Sequence, residues 1–295
     1  MIFRDEKNRN QNKSYIATIK AMVSVIVIIT MLINLTYVKA KTNRKKYWNK
    51  ISTASAGTII SKSDIDFKHL SKYFVSSKIT QSVYKRIEGK SFDPNGKIKK
   101  SDLRYIKVLH YNYKHQIQVG ELVVNKSIAK DIRAIFKKLF QKGYEIKSMY
   151  LIDKYWTGNA AETDKKSCEK GNTSAFCYRT IIGPDKKLSN HALGLAIDIN
   201  TRENPYVYRK HGKWICNYKN SIEYVNRKKK KNHMIGHNDY CYKLFQSYGF
   251  RWGGDWKKIK DYQHFEKIEE TGEKNKREGD GFGEKSSKRR QNNII

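Results

Sequence analysis

None of the four cysteines, Cys168, Cys177, Cys216 and Cys241, stands in a CxxC pair. That spacing excludes an ordinary structural zinc knuckle. There is no HExxH segment, so no helix presents two histidines one turn apart to a metal. No internal repeat is visible, which removes solenoid and propeller architectures. Acidic residues are scarce, 28 against 61 Lys and Arg, and the net charge is +33. Such a chain is attracted to polyanions such as nucleic acid, anionic lipid or wall polymers. A lysine-rich codon usage produces the same number, however, so charge by itself selects no function. Apolar residues make up 38% of 295 residues, enough for the core of one good-sized domain with flanking segments.

The longest apolar run lies near the N-terminus. Arg4, Lys7, Arg9, Lys13 and Lys20 precede a stretch from Ala21 to Leu35. At roughly fifteen residues it is short for a membrane span, which needs about 20, and it suits the core of a signal peptide. Val38 and Ala40 supply small residues for a cleavage site before Lys41. An uncleaved membrane anchor is the alternative, and both readings place the rest of the chain outside the cytoplasm. In that setting four cysteines permit two disulfides in three connectivities, while free buried thiols fit equally well.

Further along, the pattern predicts strands over Leu103–Tyr111, Val119–Val124 and Ile146–Ile152. It predicts a helix between Asn125 and Gly143, whose Ile128, Ile132, Ile135, Phe136, Leu139 and Phe140 share one face. A second helix is expected over Asp239–Tyr248, capped by Asn238 and closed by Gly249. The run Arg227 to Lys231 reads as a solvated loop. This mixture indicates an α+β domain.

The chemistry concentrates in two segments. From Gly194 to Asn200 the sequence alternates as a strand does. Leu195, Ile197 and Ile199 make a core face, while Gly194, Ala196 and Asp198 leave open space around a carboxylate. His191 and Asp198 would be roughly 23 Å apart in an extended chain, so the chain must fold back before Gly194 if both bind one ion. The second segment runs Phe250-Arg-Trp-Gly-Gly-Asp-Trp256, then Asp261-Tyr-Gln-His264-Phe-Glu266. It adds His264 as a third donor, with Asp261 three residues before it. Three protein ligands, an open position for water and a nearby carboxylate make up a hydrolytic metal site.

Ser189-Asn-His-Ala-Leu-Gly-Leu-Ala-Ile-Asp198, with the WGGDW and DYQHFE segments, resembles the D-alanyl-D-alanine carboxypeptidase family of zinc peptidases. Its relatives include vancomycin-resistance peptidases and phage L-alanyl-D-glutamate endolysins. The family pattern SxHxxxxxxD…(D/E)xxH is matched by Ser189, His191, Asp198, Asp261 and His264. The resemblance implies one Zn2+ held by His191, Asp198 and His264, with Asp261 as general base; some branches have glutamate there. Arg179, ending a segment similar to the family's substrate side, would balance the oxyanion. Ser189, Tyr178 and Trp252 are the remaining candidates for substrate contact, Ser189 being equally suited to capping the turn before His191.

The implied fold is α+β, a small antiparallel sheet with flanking helices carrying a single zinc site, as in hedgehog and D-Ala-D-Ala peptidase domains. The chain then divides into a signal peptide or N-terminal membrane anchor (1–40), a polar linker (41–78), the catalytic domain (79–267) and a charged disordered tail (268–295). The implied function is hydrolysis of peptidoglycan stem peptides, releasing the C-terminal D-alanine. An endopeptidase or a non-catalytic zinc-containing wall-binding module would use the same motif. Anionic wall polymers are a further expected contact through charge. Nucleic acid is not expected, because the 227–231 run has no interleaved aromatics.

Overall fold

The computed structural model describes residues 2–180 and 187–268; the expected disordered tail beyond Ile268 lies outside them. The chain forms two units, Met1–Thr53 and Ala54–Ile295. The first is a single helix, α1 (Ile2–Thr53). Its apolar portion spans Tyr15–Lys39, 25 residues within which the most apolar 18-residue stretch has a mean hydropathy of 2.5. At 1.5 Å per residue that is about 37 Å, enough to cross a bilayer core of about 30 Å. The run judged short from sequence is lengthened at both ends by Tyr15, Ile16, Ile19, Tyr37 and Val38, exposed on the same continuous helix. A signal sequence near the N-terminus meets the same description.

The second unit follows the order β1 (Ile59–Ile60), β2 (Val75–Lys78), α2 (Gln81–Ile87), β3 (Leu103–Tyr111), β4 (Ile117–Asn125), α3 (Ala129–Gln141), α4 (Ala160–Glu169), β5 (Ala196–Asp198), β6 (Tyr206–Lys210), β7 (Lys213–Ile215), α5 (Tyr240–Ser247), β8 (Arg251–Trp252), β9 (Ile259–Asp261) and β10 (His264–Glu266). The α+β expectation holds, but the strands are divided among three small antiparallel sheets: β1-β4-β3-β2, β5-β10-β8 and β7-β6-β9. The β3–β4 hairpin is the longest pairing, in register from Leu103↔Asn125 to Tyr111↔Ile117. Helix α3 packs Ile132, Ile135, Phe136, Leu139 and Phe140 into the core, the face its periodicity marked.

Several expectations need correction. The supposed linker 41–78 completes α1 and then supplies both edge strands of the largest sheet. Its buried anchors, Ile60, Leu70, Tyr73 and Phe74, are too thinly spread to raise its average hydropathy. Residues 146–152 bury Ile146, Met149, Leu151 and Ile152, yet make only isolated bridges and a 3-10 turn at Ile152–Tyr155. Their backbone groups bond singly to several neighbours, such as Ile146 N–H to Tyr111 O (2.7 Å) and Glu121 N–H to Met149 O (3.1 Å). Helix α5 is capped by Asp239, whose carboxylate accepts from Cys241 N–H (2.8 Å), rather than by Asn238. All four cysteines are free thiols, and Cys168, Cys177 and Cys241 are buried. Lys228 to Lys230 are solvated as expected. Arg227, by contrast, turns inward, donating to Glu203 O (2.9 Å) and Ile235 O (2.5 Å) with its guanidinium 4.2 Å from the Tyr262 ring centre.

Asn125, expected to cap α3, instead ties the end of β4 to the segment bearing His191. Its N–H donates to Gly194 O (2.8 Å) and its side-chain amide to Leu193 O (3.0 Å). Helix α3 starts after Ile128 with no side-chain cap. Gly194 has φ +70°, and a Cβ there would lie 2.6 Å from Asn125 N. Both the conformation and the close approach demand glycine. The fold-back inferred from the His191–Asp198 spacing is therefore made here.

Candidate metal centre

Strand pairing brings the donors together. β10 runs antiparallel to β5 with His264 directly opposite Asp198, Phe265 opposite Ile197 and Glu266 opposite Ala196. The period of two sends His264 and Glu266 to one face. Phe265 goes to the other, into the core against Phe245. His191 enters from the turn closed at Gly194. Ser189 Oγ accepts from Ala192 N–H (3.1 Å), so this hydroxyl stabilises the turn. On the far side of β5, Ser174 and Asp198 exchange backbone hydrogen bonds of 3.1 and 2.9 Å.

The donor atoms form a nearly equilateral triangle. His191 Nε2 and His264 Nδ1 lie 3.1 Å apart. Asp198 Oδ1 is 3.1 Å from His264 Nδ1 and 3.2 Å from His191 Nε2. A tetrahedral zinc ion with bonds of about 2.0–2.1 Å needs ligand atoms roughly 3.3 Å apart. The tautomers agree. His191 Nδ1 is 2.6 Å from Ala175 O, which can only accept, so that nitrogen carries the proton and Nε2 offers a lone pair. Glu266 Oε2 lies 3.3 Å from His264 Nε2 and orients that ring the same way. Gln263 Nε2 donates to Asp198 Oδ2 (2.9 Å), leaving Oδ1 free. Three lone pairs thus converge on one buried point, which fits a divalent cation.

The electrostatics demand positive charge at this point. Burial would lower the His264 pKa, but its contacts to the carboxylates of Asp198 and Glu266 raise it well above the ordinary value. Burial likewise opposes ionisation of Asp198, yet the two histidines hold it far below the usual carboxylate range. Asp261 behaves oppositely: burial and the neighbouring Asp198 charge both push it up. Its Oδ1 is buried without a hydrogen-bond partner among the described residues. Gly253 makes room for it, since a Cβ there would meet Asp261 O at 2.6 Å and His264 Cβ at 3.2 Å.

Arg179 is held by Asp164 of α4 across 2.6 Å, with its Nε buried and without a hydrogen-bond partner among the described residues. Asp164, Cys168 and Asp198 place ligand-type atoms within 4.8 Å of one another, so this pair borders the triangle. The other candidates lie elsewhere. Tyr178 packs against an apolar cluster around Phe92 and Phe176, and its OH accepts from Lys97 N–H (3.0 Å). Trp252 is buried, donating to Tyr262 O (2.9 Å). Its neighbour Trp256 is the aromatic beside the centre, 5.3 Å from the His264 ring.

Sequence reasoning missed Glu266, Gln263, Asp164 and Ala175 O. The first two lie inside the quoted DYQHFE segment, where the period-two rule would have set Glu266 beside His264. Asp164 and Ala175 had no such signal, because their roles depend on where α4 and residues 173–177 pack.

A buried His-Asp-His triangle flanked by a carboxylate and a guanidinium is a candidate hydrolytic metal centre on an α+β domain. Residues 183–267, which carry all three donors together with Asp261 and Glu266, match the family model described as D-alanyl-D-alanine carboxypeptidase, a zinc-peptidase family. Arg179 precedes the matched segment and stands on its geometry. No curated protein and no solved structure matches the chain.

Proposed function

We propose that this chain is a zinc-dependent peptidase acting outside the cytoplasm on peptidoglycan stem peptides, and that it releases their C-terminal D-alanine. The observation that carries the reading is the convergence of ligand atoms from His191, Asp198 and His264 beside Asp261, whose Oδ1 is buried without a hydrogen-bond partner among the described residues. A zinc ion held by His191, Asp198 and His264 would polarise the scissile carbonyl and acidify water. Asp261 accepts the proton of the attacking water and returns it to the leaving amine. Its elevated pKa brings it nearer to the proton affinity that such shuttling at neutral pH requires. Arg179 directs its guanidinium toward the developing oxyanion, held in place by Asp164. Ala175 O, Glu266 and Gln263 keep the donors oriented. Helix α1, as a leader or anchor, agrees with a substrate that lies beyond the membrane.

The test uses zinc-loaded full-length protein in neutral detergent and a synthetic stem pentapeptide ending in D-Ala-D-Ala, with products read by mass spectrometry. Loss of one alanine, abolished by chelator and by Asp261→Ala, is the expected result. An intact pentapeptide with cleavage of whole peptidoglycan would make the enzyme an endopeptidase. Bound zinc with neither substrate cut would leave a wall-binding module.

A further inference from the structure

The catalytic reading leaves a strong charge asymmetry of the second unit unused. Between Tyr206 and Lys231 there are nine Lys and Arg residues and one acid, Glu223. Glu223 is already engaged by Arg202 (3.1 Å) and Lys231 (2.5 Å). The β7-β6-β9 sheet gathers three of these nine, Arg209, Lys210 and Lys213, at one end. Arg209 pairs with Trp214, and Lys210 with Lys213. β9 joins β6 at Tyr208↔Ile259, so Lys258 and Lys257 arrive beside the same end of β6. Arg209, Lys210, Lys213, Lys257 and Lys258 are all exposed. Side chains alternate across the sheet, so Lys210 and Lys213 share one face while Arg209 lies with Trp214 on the other, and the sheet end is cationic on both faces.

A groove of about 910 Å³ lies against β7 between the Trp214 and Tyr262 rings, lined mainly by apolar side chains such as Ile215, Ile222 and Val225. Each of these two rings is covered by a guanidinium, Arg209 at 4.9 Å from Trp214 and Arg227 at 4.2 Å from Tyr262. Stacking holds the exposed Arg209 while leaving its donor fork free for oxyanions. The covered rings are poorly placed to stack nucleobases. The hairpin tip Lys210-His211-Gly212-Lys213 has no apolar residue to insert into a bilayer.

We propose that this sheet end forms a docking surface for a linear phosphodiester polyanion of the cell wall. β9 begins at this surface and ends at Asp261, so a polymer bound there holds the enzyme with its reacting groups close by. The source of the polymer rests on the proposed extracytoplasmic function; the phosphodiester chemistry does not.

The test measures binding of the full chain in neutral detergent to fluorescent poly(glycerol phosphate) across a salt series. The variant Lys210→Gln/Lys213→Gln/Lys257→Gln/Lys258→Gln is compared with a control neutralised at the exposed Lys68, Lys72, Lys130 and Lys166. The sheet-end variant is expected to lose about tenfold or more in affinity at low salt and about 2–3 units of the log–log salt slope. The control should lose far less. Equal losses in the two variants would overturn the proposal in favour of diffuse charge. Tighter binding to single-stranded DNA of equal phosphate number would make the surface a nucleic-acid site instead. Binding to anionic vesicles but not to the polymer would make it a membrane contact. Cleavage of the soluble pentapeptide should be unchanged in the sheet-end variant. If wild type binds the polymer but cuts nothing, the peptidase reading fails and the docking surface stands.

Discussion

Glu266→Gln tests whether the charge behind His264 belongs to the metal site. Glu266 is nearly buried, 8% exposed in its side chain, and lies 3.3 Å from His264 Nε2 and 3.3 Å from Arg251. Asn190 also donates to it. Burial disfavours its ionised form, but the hydrogen bond to His264 and the adjacent positive charge pull its pKa down to about 2. It is therefore a carboxylate at any working pH. Glutamine keeps the volume and one acceptor oxygen while removing the charge. A hydrogen bond to a charged group contributes about 1.5–3 kcal/mol, against about 0.5–1.5 for a neutral one. The difference is about 1–2 kcal/mol, and the long 3.3 Å separation argues for the lower half of that interval. Zinc affinity should fall about tenfold, near the low end of the 10–100-fold expected when such a supporting group is lost. The assay is competition with a chromophoric chelator at fixed pH, with circular dichroism confirming the fold. An unchanged zinc affinity in folded protein would refute the argument that Glu266 sets the His264 ring for coordination.

Other consequences are equally direct. Asp261→Asn should retain zinc by metal analysis yet lose about 10²–10⁴ in kcat. In wild type the rate should fall as pH drops through the raised Asp261 pKa, because a protonated acid cannot accept water's proton; an acid limb that survives unchanged in Asp261→Asn would assign that limb elsewhere. Gly194→Ala places a Cβ 2.6 Å from Asn125 N at φ +70°. It should cost about 1–3 kcal/mol or more in denaturant unfolding and loosen zinc through the His191 turn. Glu121 accepts from Arg86 at 2.6 and 2.9 Å and from Tyr105 at 2.8 Å. Burial would raise its pKa, but the guanidinium more than offsets this, so its folded pKa lies below the ordinary carboxylate value of 4.5. The stabilisation is therefore present above about pH 4.5 and is lost as pH falls through the folded pKa. Glu121→Gln should flatten that acid limb of stability in pH-dependent denaturant titrations.

Much of the centre was legible before any coordinates. His191, Asp198 and His264 were recognisable as donors because two short motifs each pair a histidine with an acid. The strict alternation after Gly194 also revealed a strand that spends one face on a carboxylate. The α3 stripe and strands β3 and β4 were visible because their periods, near 3.6 and 2, are set by local backbone geometry. Edge strands β1 and β2 were not, since short segments burying few side chains leave no periodic trace.

Tertiary structure alone decided which groups support the donors. The Ala175 carbonyl, Asp164 and Asn125 are ordinary residues whose roles arise from antiparallel pairing and from the packing of α4 and β4. It also set the different surroundings of Trp252 and Trp256, which sit four positions apart in one segment. Trp252 packs into the aromatic cluster behind the site, while Trp256 faces His264. Sequence determines which atoms can bind a metal, because that is side-chain chemistry. Their convergence to within 3.2 Å is a property of strand register and one glycine turn, which exist only once the chain has folded.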